Sequence, residues 1–256
     1  MTKIIKNIRT NILKITYKAT SAHIGSCLSI VEILSVLYDK VLKKKDRFIL
    51  SKGHAALALY CILFEKKFIS SKILNSFGSD KTTLMNHVSH KVNGVEFSTG
   101  SLGHGLPVAV GKALKFKINK EKNKVFVLIS DGELNEGTTW ESLLFACHHK
   151  LENLNIIIDY NKIQSMDFVN KVINIEPLKE KLLSFGCDVY EVNGHNESAI
   201  QKILLKKNKQ KPKVVIANTI KGKGISFMEN NNLWHYKSPN LQELKIALNE
   251  IEKKYA

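Results

Sequence analysis

Cysteine and arginine are scarce in this sequence of 256 residues. The four cysteines are scattered and form no C-x-x-C pair, so the sequence indicates neither a disulfide framework nor a zinc knuckle. We therefore expect free thiols and a reducing compartment, which is the cytoplasm. Arg9 and Arg47 are the two arginines, and lysine supplies nearly all of the positive charge.

Long apolar runs are also missing. The first twenty residues lack the apolar centre of a signal peptide, and no stretch of about 18 apolar residues could cross a bilayer. We therefore expect neither secretion nor insertion into a membrane.

The charge balance is strongly basic, with 39 basic and 23 acidic residues and a net charge of +16. Clustered cations bind nucleic-acid phosphates, but base reading favours arginine, and the lysines here are dispersed. We favour a solvated lysine surface and expect no nucleic-acid partner. A non-catalytic, polyanion-binding protein remains the alternative.

Short apolar runs alternate with longer amphipathic segments, as in the crossover units of a parallel sheet. The predicted strands are 47–50, 125–130, 155–160, 187–192 and 213–218, and the predicted helices are 27–42, 138–151, 177–185 and 240–255. The fold predicted is α/β, a doubly wound, mostly parallel sheet with helices on both faces. We expect one domain over 1–256, with an N-terminal helical segment (1–45), an α/β core (46–220) and a C-terminal loop and helix (221–256).

Polar residues end two of the predicted strands. Asp131 follows "VFVLIS" and Asn161 follows "NIIIDY". If these strands are neighbours, both side chains lie at one edge of the sheet. Together with the carbonyl oxygen of Ile163 they would offer the hard oxygen ligands that Mg²⁺ or Ca²⁺ prefers. The alternative is an aspartate that caps a turn and an unrelated loop asparagine.

Glycine and histidine are concentrated in the predicted loops. The segment "STGSLGHG" (98–105) has the composition of a turn whose N–H groups bind phosphate. His54 and His235 are candidate hydrogen-bond donors to phosphate oxygens, although a single histidine of this kind more often has a purely structural role.

The order of these motifs resembles the N-terminal, diphosphate-binding domain of transketolases, which use thiamine diphosphate. The matching segments, in family order, are "SAHIGS" (21–26), "SKGH" (51–54), "NHVSHKVNGVEFSTGSLGHGL" (86–106), "SDGELNEG" (130–137), "DYNKI" (159–163), "KGKGISF" (221–227) and "WHYKSP" (234–239). The resemblance implies the thiamine-diphosphate-binding fold and a divalent metal.

The resemblance also assigns roles to single residues. It implies that Asp131, Asn161 and the main-chain oxygen of Ile163 bind the metal. Positions matching the family's contacts to the cofactor are His54, Gly100, Ser101, Leu102, Gly132, Asn161 and His235. His23 and His87 match residues that face the sugar. Together with His235 they are the predicted catalytic residues, which would orient hydroxyl groups and move protons.

Some positions depart from the usual family pattern. Ser130 replaces a glycine, Ile24 a frequent proline, Lys52 a frequent asparagine and His104 a frequent glutamine. The spacing between His87 and Gly100 is short, so His90 is the alternative to His87. Glu136 corresponds to an acidic residue near the family's subunit interface, or else it is a helix N-terminal carboxylate.

The resemblance covers only the diphosphate-binding domain. It implies a separate C-terminal transketolase subunit that carries the pyrimidine-binding domain and the activating glutamate, joined in a heterotetramer. The predicted reaction moves a two-carbon ketol unit from a ketose, expected to be phosphorylated, to an aldose. The alternatives are another thiamine diphosphate enzyme subunit, either 2-oxo acid dehydrogenase α-like or deoxyxylulose-phosphate-synthase-like.

Overall fold

The computed structural model describes residues 2–255, and its centre is a five-stranded parallel sheet. The strands are β1 (Arg47–Leu50), β2 (Val125–Ser130), β3 (Leu154–Tyr160), β4 (Asp188–Asn193) and β5 (Lys213–Asn218). They lie in the order β1-β2-β3-β5-β4, and every neighbouring pair is parallel. The sheet is therefore wholly parallel.

Helices surround this sheet. Within residues 2–255 they are α1 (Thr2–Ala19), α2 (Ile24–Leu28), α3 (Val31–Val36), α4 (Ala56–Glu65), α5 (Ser71–Leu74), α6 (Gly105–Ile118), α7 (Gly137–His148), α8 (Val169–Val172), α9 (Leu178–Ser184), α10 (Glu197–Leu205) and α11 (Leu241–Lys254). Short 3₁₀ turns cover Gly53–Ala55, Gly132–Asn135 and Asn232–His235, and a π-helical turn covers Leu37–Val41. None of the helices described combines the length and apolar character needed to span a bilayer.

Two apolar cores lie on opposite faces of the sheet. Side chains alternate across a strand, so Phe126 and Leu128 pack with α1, α3 and α4, whereas Val127 and Ile129 pack with α6, α7 and α9. The strands are buried on both faces, which explains their continuous apolar character. The predicted doubly wound α/β fold is thus confirmed.

The helix predicted over 27–42 is interrupted. The structure has α2, α3 and the π-helical turn in its place, with a break at Ser29 and Ile30. Ser29 Oγ donates to a carboxylate oxygen of Asp159 at 2.7 Å and also contacts the carbonyl oxygen of Ser26 at 3.0 Å. We attribute the break to this bond, because it ties the chain to a strand 130 residues away.

The last helix shows how local sequence sets a boundary. Asn240 caps α11 by accepting from the N–H of Glu243, and the Glu243 side chain accepts from the N–H of Asn240. This capping box satisfies two backbone donors that the first turn would leave unpaired. The predicted helix over 240–255 begins where this box begins.

Candidate cofactor site

A polar cleft of about 170 Å³ opens at the carboxyl ends of β1, β2 and β3. Strands β2 and β3 are direct neighbours, with Ser130 paired to Asp159, so the residues that follow them meet at one edge. Asp131, Gly132, Asn161 and Ile163 all line this cleft. The adjacency assumed from the sequence is therefore present.

Asp131 is buried at the floor of the cleft, with 2% of its surface exposed. Its carboxylate accepts hydrogen bonds from the N–H of Gly132 at 2.8 Å and from the N–H of Lys162 at 2.6 Å. Burial, together with the charge of Asp159, raises the pKa of Asp131 to about 7. A cation bound nearby would favour the ionised form of this carboxylate and lower its pKa.

Asn161 and Ile163 present two more oxygen atoms. Asn161 Oδ1 accepts from the N–H of Ile163 at 3.1 Å, while its amide nitrogen donates to Asp159 at 3.0 Å. The carbonyl oxygen of Ile163 accepts a hydrogen bond from the ammonium of Lys221 at 3.1 Å. A cationic group therefore already contacts one of the three oxygen atoms predicted to bind metal.

Lys221 also approaches a histidine. Its Nζ lies 2.9 Å from His235 Nδ1 and 3.0 Å from the carbonyl oxygen of Gln164. Burial and the neighbouring charge of Lys52 lower the pKa of Lys221 to about 8. Because the ammonium donates to Nδ1, the proton of neutral His235 resides on Nε2.

A buried ion pair joins Lys52, which lines the cleft, to Asp159 behind it. Lys52 and Asp159 are almost fully buried and in direct contact, and Thr219 and Ser29 also donate to the Asp159 carboxylate. Burial opposes ionisation of Asp159, but the Lys52 charge and these hydrogen bonds hold its pKa below the usual range. Asp159 is thus a fixed anion that connects β1, α2 and β3.

Four histidine rings that line the cleft form a cluster. The ring centroid of His23 lies 5.0 Å from that of His235, 5.3 Å from that of His54 and 5.8 Å from that of His87. His23 has a positive φ of 70°, and its N–H donates to the carbonyl oxygen of His235 at 2.7 Å. The structure brings together the four histidines that the sequence analysis predicted to be catalytic or to bind the cofactor.

Two rings of the cluster, His23 and His235, are held in the neutral form. Burial, followed by the charges of His87, Lys221 and Lys52, lowers the pKa of His23 to about 4. Burial, followed by the charge of Lys221, lowers the pKa of His235 to about 3. Neutral imidazoles each offer one donor and one acceptor, which suits them to bind hydroxyl groups and exchange protons.

The Gly-rich loop is only partly in the cleft. Leu102 lines it, whereas Gly100 and Ser101 lie in the same loop without being lining residues. A Cβ added at Gly100 would meet the His87 ring at 3.5 Å. The N–H groups of Gly100, Ser101 and Leu102 reach no acceptor within residues 2–255, so they remain free for a ligand.

Three other candidates lie outside the cleft lining. His90 Nδ1 contacts Ser98 Oγ at 2.7 Å, and the exposed His104 contacts the carbonyl oxygen of Leu102 at 2.9 Å. His87 rather than His90 faces His23. Glu136 is the residue immediately before α7.

Sequence reasoning missed several residues that line the cleft. These are Ser26, Gln164, Ser165 and Lys221, while Lys52 stood out only as a departure from the family pattern. Asp159, which lies behind them, was also missed, although an aspartate within the apolar strand "NIIIDY" was a usable signal.

In the described residues there is no cluster of three or more His, Cys, Asp or Glu side chains suited to a metal. The predicted ligand set contains one carboxylate, one amide and one main-chain oxygen.

The chain is thus an α/β protein with a polar cleft at the carboxyl edge of its parallel sheet, which is where such folds bind ligands. The family model described as "Transketolase, thiamine diphosphate binding domain" matches residues 1–251. The chain belongs to the transketolase family. The family resemblance and fold predicted from the sequence are confirmed.

Relatives of similar length are transketolase subunits. The chain is 42% identical to an apulose-4-phosphate transketolase subunit of Actinobacillus succinogenes, over 96% of this chain and 94% of that protein. It is 35% identical to the 6-deoxy-6-sulfo-D-fructose transketolase subunit SqwG of Clostridium sp., over 91% and 90% of the two chains. The predicted assignment to an N-terminal transketolase subunit is thereby confirmed.

Solved transketolases share the fold. The Campylobacter jejuni enzyme superposes with a TM-score of 0.89 at 28% identity, over 98% of this chain and 42% of that one. The Leishmania mexicana enzyme gives a TM-score of 0.89 at 27% identity, over 99% and 41%. The chain therefore spans less than half the length of these enzymes.

Proposed function

We propose that this chain supplies the diphosphate-binding half of a two-subunit transketolase, which moves a two-carbon ketol unit from a ketose to an aldose. One observation carries the proposal: Asp131, Asn161 and the Ile163 carbonyl oxygen line the same cleft as His23, His54 and His235. A metal-diphosphate site and a set of neutral proton-exchanging groups are thus adjacent.

The residues of the cleft fit thiamine diphosphate with Mg²⁺ or Ca²⁺. Asp131, Asn161 and the Ile163 carbonyl oxygen would hold the ion, since all three offer hard oxygen atoms. A Cβ at Gly132 would meet nothing closer than Gln164 at 3.7 Å, so no clash within the chain demands glycine there. Glycine at this position leaves room for a ligand to approach the backbone closely.

Other groups of the cleft would bind the diphosphate itself. The free N–H groups of the Gly100–Leu102 turn, His54 and the Lys221 ammonium are donors suited to phosphate oxygens. Lys221 contacts the Ile163 carbonyl oxygen in this structure, so binding of the metal would redirect its ammonium towards the diphosphate. Thiamine diphosphate, when bound, supplies the group that attacks the ketose carbonyl and delocalises the electrons of the broken C–C bond.

The histidines would orient the sugar and move protons. His235 carries its proton on Nε2, so it is a donor to a sugar oxygen. His23, in contact with both His235 and His87, is placed to accept a hydroxyl proton when the C–C bond breaks and to return it to the product. His87 would complete the substrate-facing set.

A partner subunit is needed for the full reaction. Two relatives matched over nearly their whole length are named as transketolase subunits, and this chain spans 42% of a full-length transketolase. We propose a C-terminal partner that carries the pyrimidine-binding domain and the activating glutamate, assembled with this chain as a heterotetramer in the cytoplasm. We further propose that 1–256 forms one domain, with its core over 46–220.

The names of the relatives suggest the kind of sugar. One is named for apulose 4-phosphate and the other for 6-deoxy-6-sulfo-D-fructose, so both sugars carry an anionic group remote from the ketol end. We propose a ketose with a terminal phosphate or sulfonate as the donor. Membership of the transketolase family favours ketol transfer over the 2-oxo acid dehydrogenase and deoxyxylulose-phosphate-synthase alternatives.

The decisive experiment is copurification of the chain with its partner, followed by an assay of two-carbon transfer with thiamine diphosphate and Mg²⁺. We expect activity only in the joined complex, and none when this chain carries Asp131→Asn. The proposal fails if a pure complex containing a pyrimidine-domain chain transfers no ketol unit from any phosphorylated or sulfonated ketose. Salt-sensitive DNA binding without any affinity for thiamine diphosphate would favour the polyanion-binding alternative.

A further inference from the structure

Glu133 is a fully buried carboxylate, with 0% of its surface exposed, yet no basic side chain pairs with it within residues 2–255. It accepts three hydrogen bonds instead. Its Oε1 accepts from Ser51 Oγ at 2.5 Å and from the N–H of Gly103 at 2.9 Å, and its Oε2 accepts from the N–H of Ser130 at 2.9 Å. A buried carboxylate held only by neutral donors is costly unless each bond is made.

The three donors come from three separate segments around the cleft. Ser51 directly follows β1 and precedes Lys52, Ser130 is the last residue of β2 and precedes Asp131, and Gly103 follows Leu102 in the Gly-rich loop. One side chain therefore joins two strand ends and the loop. Each of the three donor residues is a direct chain neighbour of a residue that lines the cleft, namely Lys52, Asp131 or Leu102.

The Gly-rich loop depends on this connection. Gly103 has a φ of +81°, and a Cβ there would collide with Glu136 and Thr138. The loop has other polar ties. The Thr138 hydroxyl donates to the Gly103 carbonyl oxygen at 2.9 Å, the N–H of Gly105 donates to Ser51 Oγ at 3.1 Å, and at the start of the loop the Thr99 hydroxyl donates to the Leu50 carbonyl oxygen at 2.6 Å. The Ser51 hydroxyl that accepts from Gly105 donates in turn to Glu133. The carboxylate therefore anchors the loop directly at Gly103 and indirectly through Ser51.

We propose that Glu133 is a positioning residue for diphosphate binding. It fixes the plane of the Gly-rich loop against the ends of β1 and β2, so that the free N–H groups of Gly100, Ser101 and Leu102 point where the diphosphate lies. The inference rests on the proposed cofactor function but concerns a residue that does not itself line the cleft. No contact to substrate or cofactor is assigned to Glu133.

The isosteric change Glu133→Gln tests the geometry of these bonds. A carboxylate accepts at both oxygens, whereas a glutamine amide has one accepting oxygen and one donating NH₂ group. In one orientation the NH₂ group faces the N–H of Ser130, and in the other it faces the N–H of Gly103. Either orientation breaks one of the two backbone anchors without changing the volume of the side chain.

The first measurement is calorimetric titration of the full chain with Mg²⁺ and inorganic diphosphate, repeated with thiamine diphosphate. Mutation of a residue that orients a metal ligand typically weakens affinity by about 10- to 100-fold, and we expect a loss of the same size for Glu133→Gln, because Glu133 orients the loop. The control is Glu141→Gln, which removes the same charge from an exposed position of α7. In the partner complex, turnover at saturating cofactor should stay within about threefold, as expected when binding rather than chemistry is affected.

The second measurement is hydrogen exchange over residues 99–105 in the same three proteins without ligand. We expect faster exchange in Glu133→Gln than in the unchanged chain and in Glu141→Gln, because the Gly103 N–H loses its acceptor or its neighbours move. Equal exchange overturns the proposal whether or not any ligand binds. Equal diphosphate affinity in the unchanged chain and Glu133→Gln also overturns it, whereas no binding by the unchanged chain or its partner complex counts against the proposed cofactor function.

Discussion

The carboxylate of Asp159 accepts a hydrogen bond from the Asn161 amide nitrogen at 3.0 Å. An amide has one nitrogen and one oxygen on the same planar group, so a partner that takes the nitrogen decides which way the oxygen points. Asp159 therefore turns Asn161 Oδ1 away from itself, and this oxygen is the one expected to bind the metal. A buried anion two residues earlier in the chain orients the proposed ligand.

The ion pair of Lys52 with Asp159 gives a test of stability. Replacing Lys52 by methionine keeps an apolar stem but leaves the Asp159 charge buried without its cation. We expect the free energy of unfolding to fall by about 3–5 kcal/mol, as when one partner of a buried pair is removed. Urea unfolding of the chain without cofactor measures it.

The matched control is Lys171→Met, since Lys171 is 64% exposed and pairs with Asp167 at 3.6 Å on the surface. A surface pair should contribute less than about 1 kcal/mol. Equal effects of the two substitutions would show that the Lys52 charge is not needed to balance Asp159.

Asp131 gives a test of the metal assignment. Replacing it by alanine removes the only carboxylate of the proposed ligand set. Loss of a residue that merely orients a metal ligand weakens affinity by up to about 100-fold. Loss of the ligand itself should therefore lower the metal-dependent affinity for thiamine diphosphate by at least that factor. Calorimetric titration with and without Mg²⁺ measures this loss. Retention of full affinity would contradict the assignment of Asp131 as a ligand.

His23 gives a test that separates chemistry from binding. Its ring lines the cleft among those of His54, His87 and His235, and it is neither a predicted metal ligand nor a predicted cofactor contact. We expect His23→Ala to lower the kcat of the partner complex by about 100-fold, the lower end of general acid–base contributions. The affinity for thiamine diphosphate should stay close to that of the unchanged protein.

The control for this change is His148→Ala, at an exposed position at the end of α7. It should alter neither kcat nor cofactor affinity. Loss of cofactor from His23→Ala, with turnover preserved at high cofactor concentration, would place His23 in the binding site instead of the reaction.

The strands and the edge where Asp131 and Asn161 meet were predictable, because buried parallel strands are continuous apolar runs that end in polar residues. Three of the five predicted strands match the observed bounds, and the other two differ by one residue at one end or at both. The interruption near Ser29 was not predictable from periodicity, because its partner Asp159 lies in another element. The roles of Lys52, Asp159 and Glu133 were missed for the same reason, since a buried charge acquires its partners only through the tertiary fold.

Glu32 belongs to a second buried polar network, outside the cleft lining, that should make the stability of the fold depend on pH in the acid range. Its carboxylate accepts from Arg9 at 2.5 Å and lies 3.0 Å from His195 Nδ1, and the N–H of Ile220 donates to His195 Nε2 at 2.9 Å. Burial opposes ionisation of Glu32, but the charge of Arg9 and the His195 hydrogen bond outweigh it, so the pKa falls from an ordinary 4.5 to about 2.

A depressed carboxyl pKa stabilises the fold above the unfolded-state value and loses that contribution as the pH falls towards the folded-state value. For Glu32 the contribution is full above pH 4.5 and is lost as the pH approaches about 2. The difference corresponds to about 3 kcal/mol. Urea unfolding at a series of pH values should show this loss in the unchanged chain.

The variant Glu32→Gln should be less stable at neutral pH, because Arg9 stays buried without its anion, and it should show a shallower dependence on pH between these values. Glu252→Gln is the control, since Glu252 pairs with Lys6 at the surface and is 69% exposed. That variant should keep the pH dependence of the unchanged chain. If Glu32→Gln has the same slope as the unchanged chain, the acid sensitivity arises from other carboxylates, and the Arg9–Glu32–His195 network does not set it.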